Sequence, residues 1–188
     1  MASSRSEMPW AAISRRSRSS SARASASRAS SAGEESLARL QTDHVNEWRL
    51  HNVYSFDRLD QMTGKEGALK AAVQARDEGL VRHISISGHT DPQIQIEALR
   101  RFPFDTVLTA VSVLDHFIFS FAEELLPVAA LKGTGVVGMK IFGYKRLAPV
   151  ADRALRYALA LPLTTVIAGC STMAELEADL AVAERFKP

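Results

Sequence analysis

Few residues in this chain have the type and spacing to do chemistry. His51 closes a short strand candidate, Asn46–His51, and a ring that titrates near neutral pH at a strand end can act as a hydrogen-bond donor or a proton carrier. The bland alternative for such a residue is a structural or solvent contact. Gly169-Cys170-Ser171 opens the last helical stretch, where free N–H groups and positive potential suit a phosphate. The same three residues equally make an ordinary helix cap. Cys170 has no evident base partner and reads as packing, and as the only cysteine it excludes an intramolecular disulfide and a thiolate-built zinc site. His44, His83, His89 and His116 show no metal-ligand spacing, and no metal is inferred. No Gly-x-Gly-x-x-Gly follows a strand and no P-loop is present, which removes the two commonest nucleotide fingerprints.

The elements that must position these residues alternate regularly. Glu34–Leu40 reads as the end of a helix. Asn46–His51 reads as a strand interrupted by Glu47 and Arg49. Lys65–Glu78 is an amphipathic helix stopped by Gly79, and Val81–Ser87 is a strand with β-branched Val81, Ile84 and Ile86. Asp91-Pro92 is a helix start, with Ile94, Ile96, Leu99 and Phe102 inward. Thr106–Val113 is an apolar strand, and Phe121–Lys132 a helix stopped by Gly133. Gly135–Ile141 is a strand, and Pro149 opens a helix to about Leu161. Leu163–Ala168 is a strand, and Thr172 with Glu175 makes a capping-box pattern for a helix to about Arg185. Strand and helix thus repeat five times with short connections, which predicts a parallel sheet with right-handed crossovers. Thr106–Val113 and Leu163–Ala168 are apolar throughout, as strands covered on both faces are.

With 46% apolar and 23% charged residues, the chain has the balance of a soluble globular protein, and no run is long and apolar enough to span a bilayer. The charge is uneven. Residues 1–33 hold six arginines and one acid, a net +5 against +2 for the whole chain, so the rest is net −3. Nearly all Ser, Ala and Arg, residues 1–33 bury too little apolar surface to order and read as a disordered tail, with the globular domain at 34–188. An organelle transit sequence and a nucleic-acid-binding arm are the alternatives for the tail. The cytoplasm is the expected location.

Five segments, in order, carry a family resemblance. SLARLQTDHVNEWRLHNV (Ser36 to Val53), GALKAAVQARDEGLVRHISISGHT (Gly67 to Thr90) and FPFDTVLTAVSVLD (Phe102 to Asp115) are followed by ELLPVAALKGTGVVGMKIFG (Glu124 to Gly143) and LRYALALPLTTVIAGCSTMAELEADL (Leu155 to Leu180). Over about 34–188 the chain resembles the aldo/keto reductase family, in the branch with Met-Lys after the seventh strand. The resemblance implies a partial (β/α)8 TIM barrel, strands four to eight with their helices. Such a barrel takes about 250 residues, so units one to three would fall where the tail lies. The sequence therefore reads as a truncated or frame-shifted product.

The resemblance also implies a carbonyl reductase acting on a small aldehyde or ketone by hydride transfer from NADPH, with NADH possible. His51 matches the family histidine. Ser87-Gly88 falls where the family's Ser-Asn holds the nicotinamide carboxamide, and Gly88 lacks the amide. Leu108 stands where many members carry Gln. Met139 occupies the position that stacks on the ring, unless it is simple core packing, and Lys140 beside it can reach the pyrophosphate. Gly169, Cys170 and Ser171 would receive phosphate. Glu175 stands where many members place an Arg for the 2′-phosphate, which disfavours NADPH. No residue matches the family's aspartate, tyrosine and lysine; Tyr54 lies near His51 in sequence but follows the wrong strand. A weak or inactive reductase is expected, and a non-catalytic half-barrel that binds a nucleotide or a partner chain is the alternative. The first and last strands would each expose an unpaired edge, predicting self-association through open barrel edges.

Overall fold

A computed structural model describes residues 23–187. Residues 1–22, two thirds of the expected disordered tail, lie outside the described residues. The remaining third is helical: α1 runs Arg23–Leu40, and Gly33 lies within it. Alanine-rich sequence favours the helix, and Gly33 lets it approach Trp48, where an added Cβ would come within 2.9 Å of the indole Cη2. The helix ends through Gln41, in the left-handed region at φ 54°, and Thr42 N–H closes on Leu37 O at 3.2 Å.

The remaining elements follow in the expected alternation. They are β1 Val45–Leu50, α2 Phe56–Thr63, α3 Ala68–Asp77, β2 Val81–Ser87, α4 Pro92–Arg101, β3 Thr106–Ala110, α5 Phe121–Lys132, β4 Gly135–Met139, α6 Ala151–Ala160, β5 Thr165–Val166 and α7 Met173–Arg185. The five strands form one parallel sheet in the order β1-β2-β3-β4-β5. Each strand lies beside its neighbour in sequence, with no reversal of order, as in an arc of a (β/α)8 barrel and unlike a doubly wound sheet. Among the described residues β1 and β5 have one neighbour each.

Register divides the side chains between two faces. Leu50, Ile84, Ile86, Val107 and Val136 pack under the helices with Leu59, Ile94, Leu99 and Leu125 in the main core. The alternate positions put Glu47 opposite His83, Arg49 opposite Ser85, Ser85 opposite Thr106 and Leu108 opposite Val137 on the other face. The two charges that interrupt β1 are satisfied there. Arg49 pairs with Glu47 and donates to Ser85 Oγ at 3.0 Å, and Thr106 Oγ1 donates to Glu47 Oε2 at 2.6 Å. Paired and hydrogen-bonded charges avoid most of the penalty of a dry interior.

Three expectations need correction. β5 is two residues long, and Thr165 is exposed, so Leu163–Ala168 is not covered on both faces; a strand with one neighbour loses half its ladder. Phe102 packs against the main core as expected, but as the half-buried C-cap just past α4 and not within the helix. α2 was not expected. Ser55 caps it by accepting from Arg58 N–H at 3.1 Å, and Leu59 and Met62 are buried.

Candidate active site

The C-terminal ends of the strands gather the polar residues. β1 ends at Leu50, which leaves His51 exposed just beyond the strand, with Nδ1 2.7 Å from Ser87 Oγ at the end of β2. Ser87 is fully buried, and its hydroxyl also reaches Leu50 O at 3.4 Å. Asn52 Nδ2 lies 3.3 Å from His89 Nε2, a second cross-strand contact. His89 is held below the ordinary imidazole range, first by burial and then by the positive charges of Lys140 and His51, against the opposing effect of its own backbone hydrogen bond. Lys140 follows β4, donates to Tyr144 Oη and lies 4.7 Å above that ring. Lys140, Tyr144 and Lys145 all have left-handed backbone, at φ 59°, 55° and 70°. His51, Ser87, His89 and Lys140 therefore share one mouth.

Beneath that mouth lies a residue the sequence did not single out. Gln95 of α4 is fully buried, donates to Leu108 O at 3.1 Å and accepts from Thr109 Oγ1 at 2.8 Å. Gly88 N–H also donates to Leu108 O, at 3.1 Å. A Cβ on Gly88 would come within 2.8 Å of Val53 O and 3.0 Å of Gln95 Cγ, so this position requires glycine. The only signal in sequence was a polar residue between the inward Ile94 and Ile96.

Met139 is half-buried, on the same face as Ala110, opposite it in register. Gly169, Cys170 and Ser171 stand apart from His51. All three are exposed, and Lys145 Nζ, 2.9 Å from Ser171 Oγ, ties them to the loop after β4. Cys170 is not packing: its thiol is exposed and donates to Asp179 Oδ2 at 3.3 Å. Desolvation, then the Asp179 hydrogen bond and the charges of Asp179 and Glu175, push the thiol's pKa up, which favours its protonated form. The N-terminus of α7 is closed by its own acid. Thr172 Oγ1 accepts from Glu175 N–H at 3.1 Å, and the Glu175 carboxylate accepts from Ser171 N–H at 2.5 Å and Thr172 N–H at 3.3 Å. Among the described residues no cluster of three or more His, Cys, Asp and Glu could hold a metal ion, and no helix is long and apolar enough to cross a membrane.

Comparison with known proteins agrees with the sheet. The chain resembles a thermostable aldo-keto reductase solved with the inhibitor epalrestat, at 19% identity and TM-score 0.64, covering 83% of this chain and 60% of that one. It resembles the glycerol dehydrogenase of Gluconobacter oxydans at 13% identity and TM-score 0.57, covering 86% and 65%. The aldo-keto reductase of Bombyx mori, solved with NADP, matches at 15% identity and TM-score 0.54, covering 84% and 64%. The chain spans about 60% of the length of the first of these structures. No curated protein matches the chain. The sequence model of the aldo/keto reductase family matches residues 12–149, starting within the tail and stopping short of α6. With more than half of its length matched, and a partial (β/α)8 sheet that leads to the same place, the chain belongs to the aldo/keto reductase family.

Proposed function

We propose that this chain supplies the substrate-orienting histidine and part of the cofactor site of a nicotinamide-dependent carbonyl reductase acting on small aldehydes or ketones. The observation that carries this reading is His51, braced by Ser87 at 2.7 Å at the strand ends where barrel enzymes keep their chemistry. Family membership and the NADP held by the Bombyx mori relative support it.

The residues fit a reduced nicotinamide dinucleotide at two places. Lys140 and Lys145 offer cations to its phosphates, and the Met139 thioether offers a polarizable contact to a ring face. They fit less well at the ends: Ser87 is committed to His51 and Leu50, Gly88 and Leu108 carry no amide, and Glu175 holds an acid near any 2′-phosphate. NADPH is the cofactor proposed from the family, and NADH meets less repulsion from Glu175. When bound, the dinucleotide supplies the hydride. His51 orients the substrate carbonyl by a hydrogen bond from its free ring edge, and Ser87 fixes the ring plane. His89 is held below the ordinary imidazole range partly by Lys140, and Lys140 would offer its charge to the dinucleotide's phosphates.

A second reading is supported by the proton donor. Among the described residues no tyrosine hydroxyl is joined to His51; Tyr54 is 57% exposed and Tyr144 is bonded to Lys140. A half-barrel that binds a nucleotide without turnover accounts for this. Fluorescence titration of NADPH and NADH, followed by an aldehyde assay, separates the two. Binding with turnover lost in His51→Ala supports the reductase. Binding without turnover supports the binding module, and no binding of either nucleotide rejects both.

A further inference from the structure

Two adjoining hollows open on the opposite side of the sheet from β5. One, of about 310 Å³, lies between α1, β1 and α3, and the other, of about 590 Å³, shares Glu34, Leu37 and Leu80 with it. Neither is lined by a residue of the mouth that holds His51. Leu37, Val45, Trp48 and Leu80 line the first hollow and each is only half-buried, so apolar surface is left wet there that an occupant would cover. The charges on the wall are mostly of one sign. Glu34, Glu47 and Glu78 line the first hollow, with Arg49 as the cation among its lining residues. Arg49 is taken by Glu47, which also accepts from Thr106. In the second hollow Asp43 is held by His44 at 2.7 Å. Glu78 accepts from the neutral amide of Gln74 at 2.8 Å, and neither Glu34 nor Glu78 forms a salt bridge among the described residues. Glu78 is also the C-cap of α3, where the helix carbonyls add negative potential.

We propose that this pair of hollows binds a lipophilic amine, with its alkyl chain on the apolar wall and its ammonium on Glu34 and Glu78. The chemistry follows from the lining. A small-molecule site combines apolar area for affinity with a few polar groups for orientation, and such sites begin at about 300 Å³. Two carboxylates without cations repel a fatty acid and gain nothing from a neutral chain. An ammonium brings three donors and the opposite charge. The indole of Trp48 adds a ring face that attracts a cation, and α1 holds that ring in place, because a Cβ at Gly33 would come within 2.9 Å of its Cη2. A metal ion is a poor match, since among the described residues no three acids or other ligands gather. The site stands apart from His51, so it does not depend on the reductase reading.

The test uses the full chain and octylammonium, with octanol and octanoate as probes of the same chain length. Trp10→Phe leaves Trp48 as the only tryptophan, so its emission reports on the hollow. Octylammonium, kept below the concentration at which it forms micelles, is expected to shift that emission saturably and to raise the urea midpoint, as a ligand of the folded state does. Octanol is expected to bind about fivefold more weakly and octanoate about tenfold or more, the scale of one or two exposed charge contacts. Glu34→Gln with Glu78→Gln should bring octylammonium down to the level of octanol and leave octanol unchanged. Equal affinity for the three probes overturns the proposal, and so does a response that never saturates. An unchanged preference for the amine in the double variant also overturns it. Competition by NADPH does the same, because it places the amine at the His51 mouth. The comparison of probes needs no change in the hollow, and it decides the matter even where the double variant folds poorly.

Discussion

His51 Nδ1 and Ser87 Oγ, 36 residues apart in sequence, meet at 2.7 Å across the C-terminal ends of β1 and β2. The ring is exposed and the hydroxyl is buried, so the contact fixes an outward group by an inward one. Two variants separate these roles. His51→Ala is expected to leave the urea midpoint nearly unchanged and to abolish aldehyde reduction, by about a hundredfold or more. Ser87→Ala is expected to cost about 1 kcal/mol of stability, as a buried hydrogen bond does, and to lower kcat with little change in nucleotide affinity. Equal loss of stability in both variants would contradict this division.

Gln95 is the hidden support of the same mouth. Its amide satisfies Leu108 O and Thr109 Oγ1 in a fully buried setting. Gln95→Leu keeps the volume and leaves both groups without that partner, at an expected cost of about 1–3 kcal/mol. The urea midpoint should fall with the m-value unchanged. A midpoint that does not move would mean another group satisfies them.

Gly88 presses on the same glutamine. With Val53 O at 2.8 Å and Gln95 Cγ at 3.0 Å from a built Cβ, Gly88→Ala forces backbone or Gln95 to shift, at about 1–3 kcal/mol for overpacking. Because both substitutions act through Gln95, the double variant should be less destabilised than the sum of the two. Strict additivity in equilibrium unfolding would show that the close approach to Gln95 is not what the glycine serves.

These particulars also show what the sequence could express. β2 was legible from end to end because Ile84 and Ile86 alternate with polar residues after β-branched Val81, and Gly79 precedes it. α5 was legible because Gly133 stops it, at φ 68°. β5 was overextended because an apolar run carries no record of whether a neighbour will be present. α2 was overlooked because Ser55 and Asp57 mark its start without an apolar run to follow. Gln95 was invisible because its role depends on Leu108, thirteen residues away on another element. His51 was legible only through the segments around it, and its brace on Ser87 needed the parallel register that pairs Leu50 with Ile86.

Stability should depend on pH through His89. Its folded value lies below the ordinary 6.5, chiefly through burial and then through Lys140 and His51. The contact from Asn52 Nδ2 also suits an unprotonated Nε2. Between the lowered folded value and the unfolded one, the unfolded chain binds more protons, so stability rises with pH in that window. Stability is complete above the unfolded value, declines as pH falls through about 6.5, and stops declining from this source below the folded value. His89→Gln should flatten that part of the profile, and Lys140→Met should shrink it. Urea midpoints measured across the window check this; identical slopes in the parent chain and His89→Gln would refute it.

The N-terminus of α7 sets two roles of one acid against each other. Glu175 completes the capping box with Thr172 and takes the Ser171 N–H, and in doing so holds negative charge where a phosphate would otherwise be attracted. Thr172→Ala removes the cap and should cost about 1 kcal/mol. Glu175→Gln keeps a side chain that can close the box but removes the charge, so it should leave stability nearly unchanged. It should also tighten NADPH by about fivefold relative to NADH, about 1 kcal/mol for one exposed charge at a helix end. Raising the salt concentration should shrink that preference, because the effect is electrostatic and screened. An equal gain for both nucleotides would mean that Glu175 acts on the shared diphosphate; no gain for either would mean that the phosphates lie elsewhere, on Lys140 and Lys145 alone.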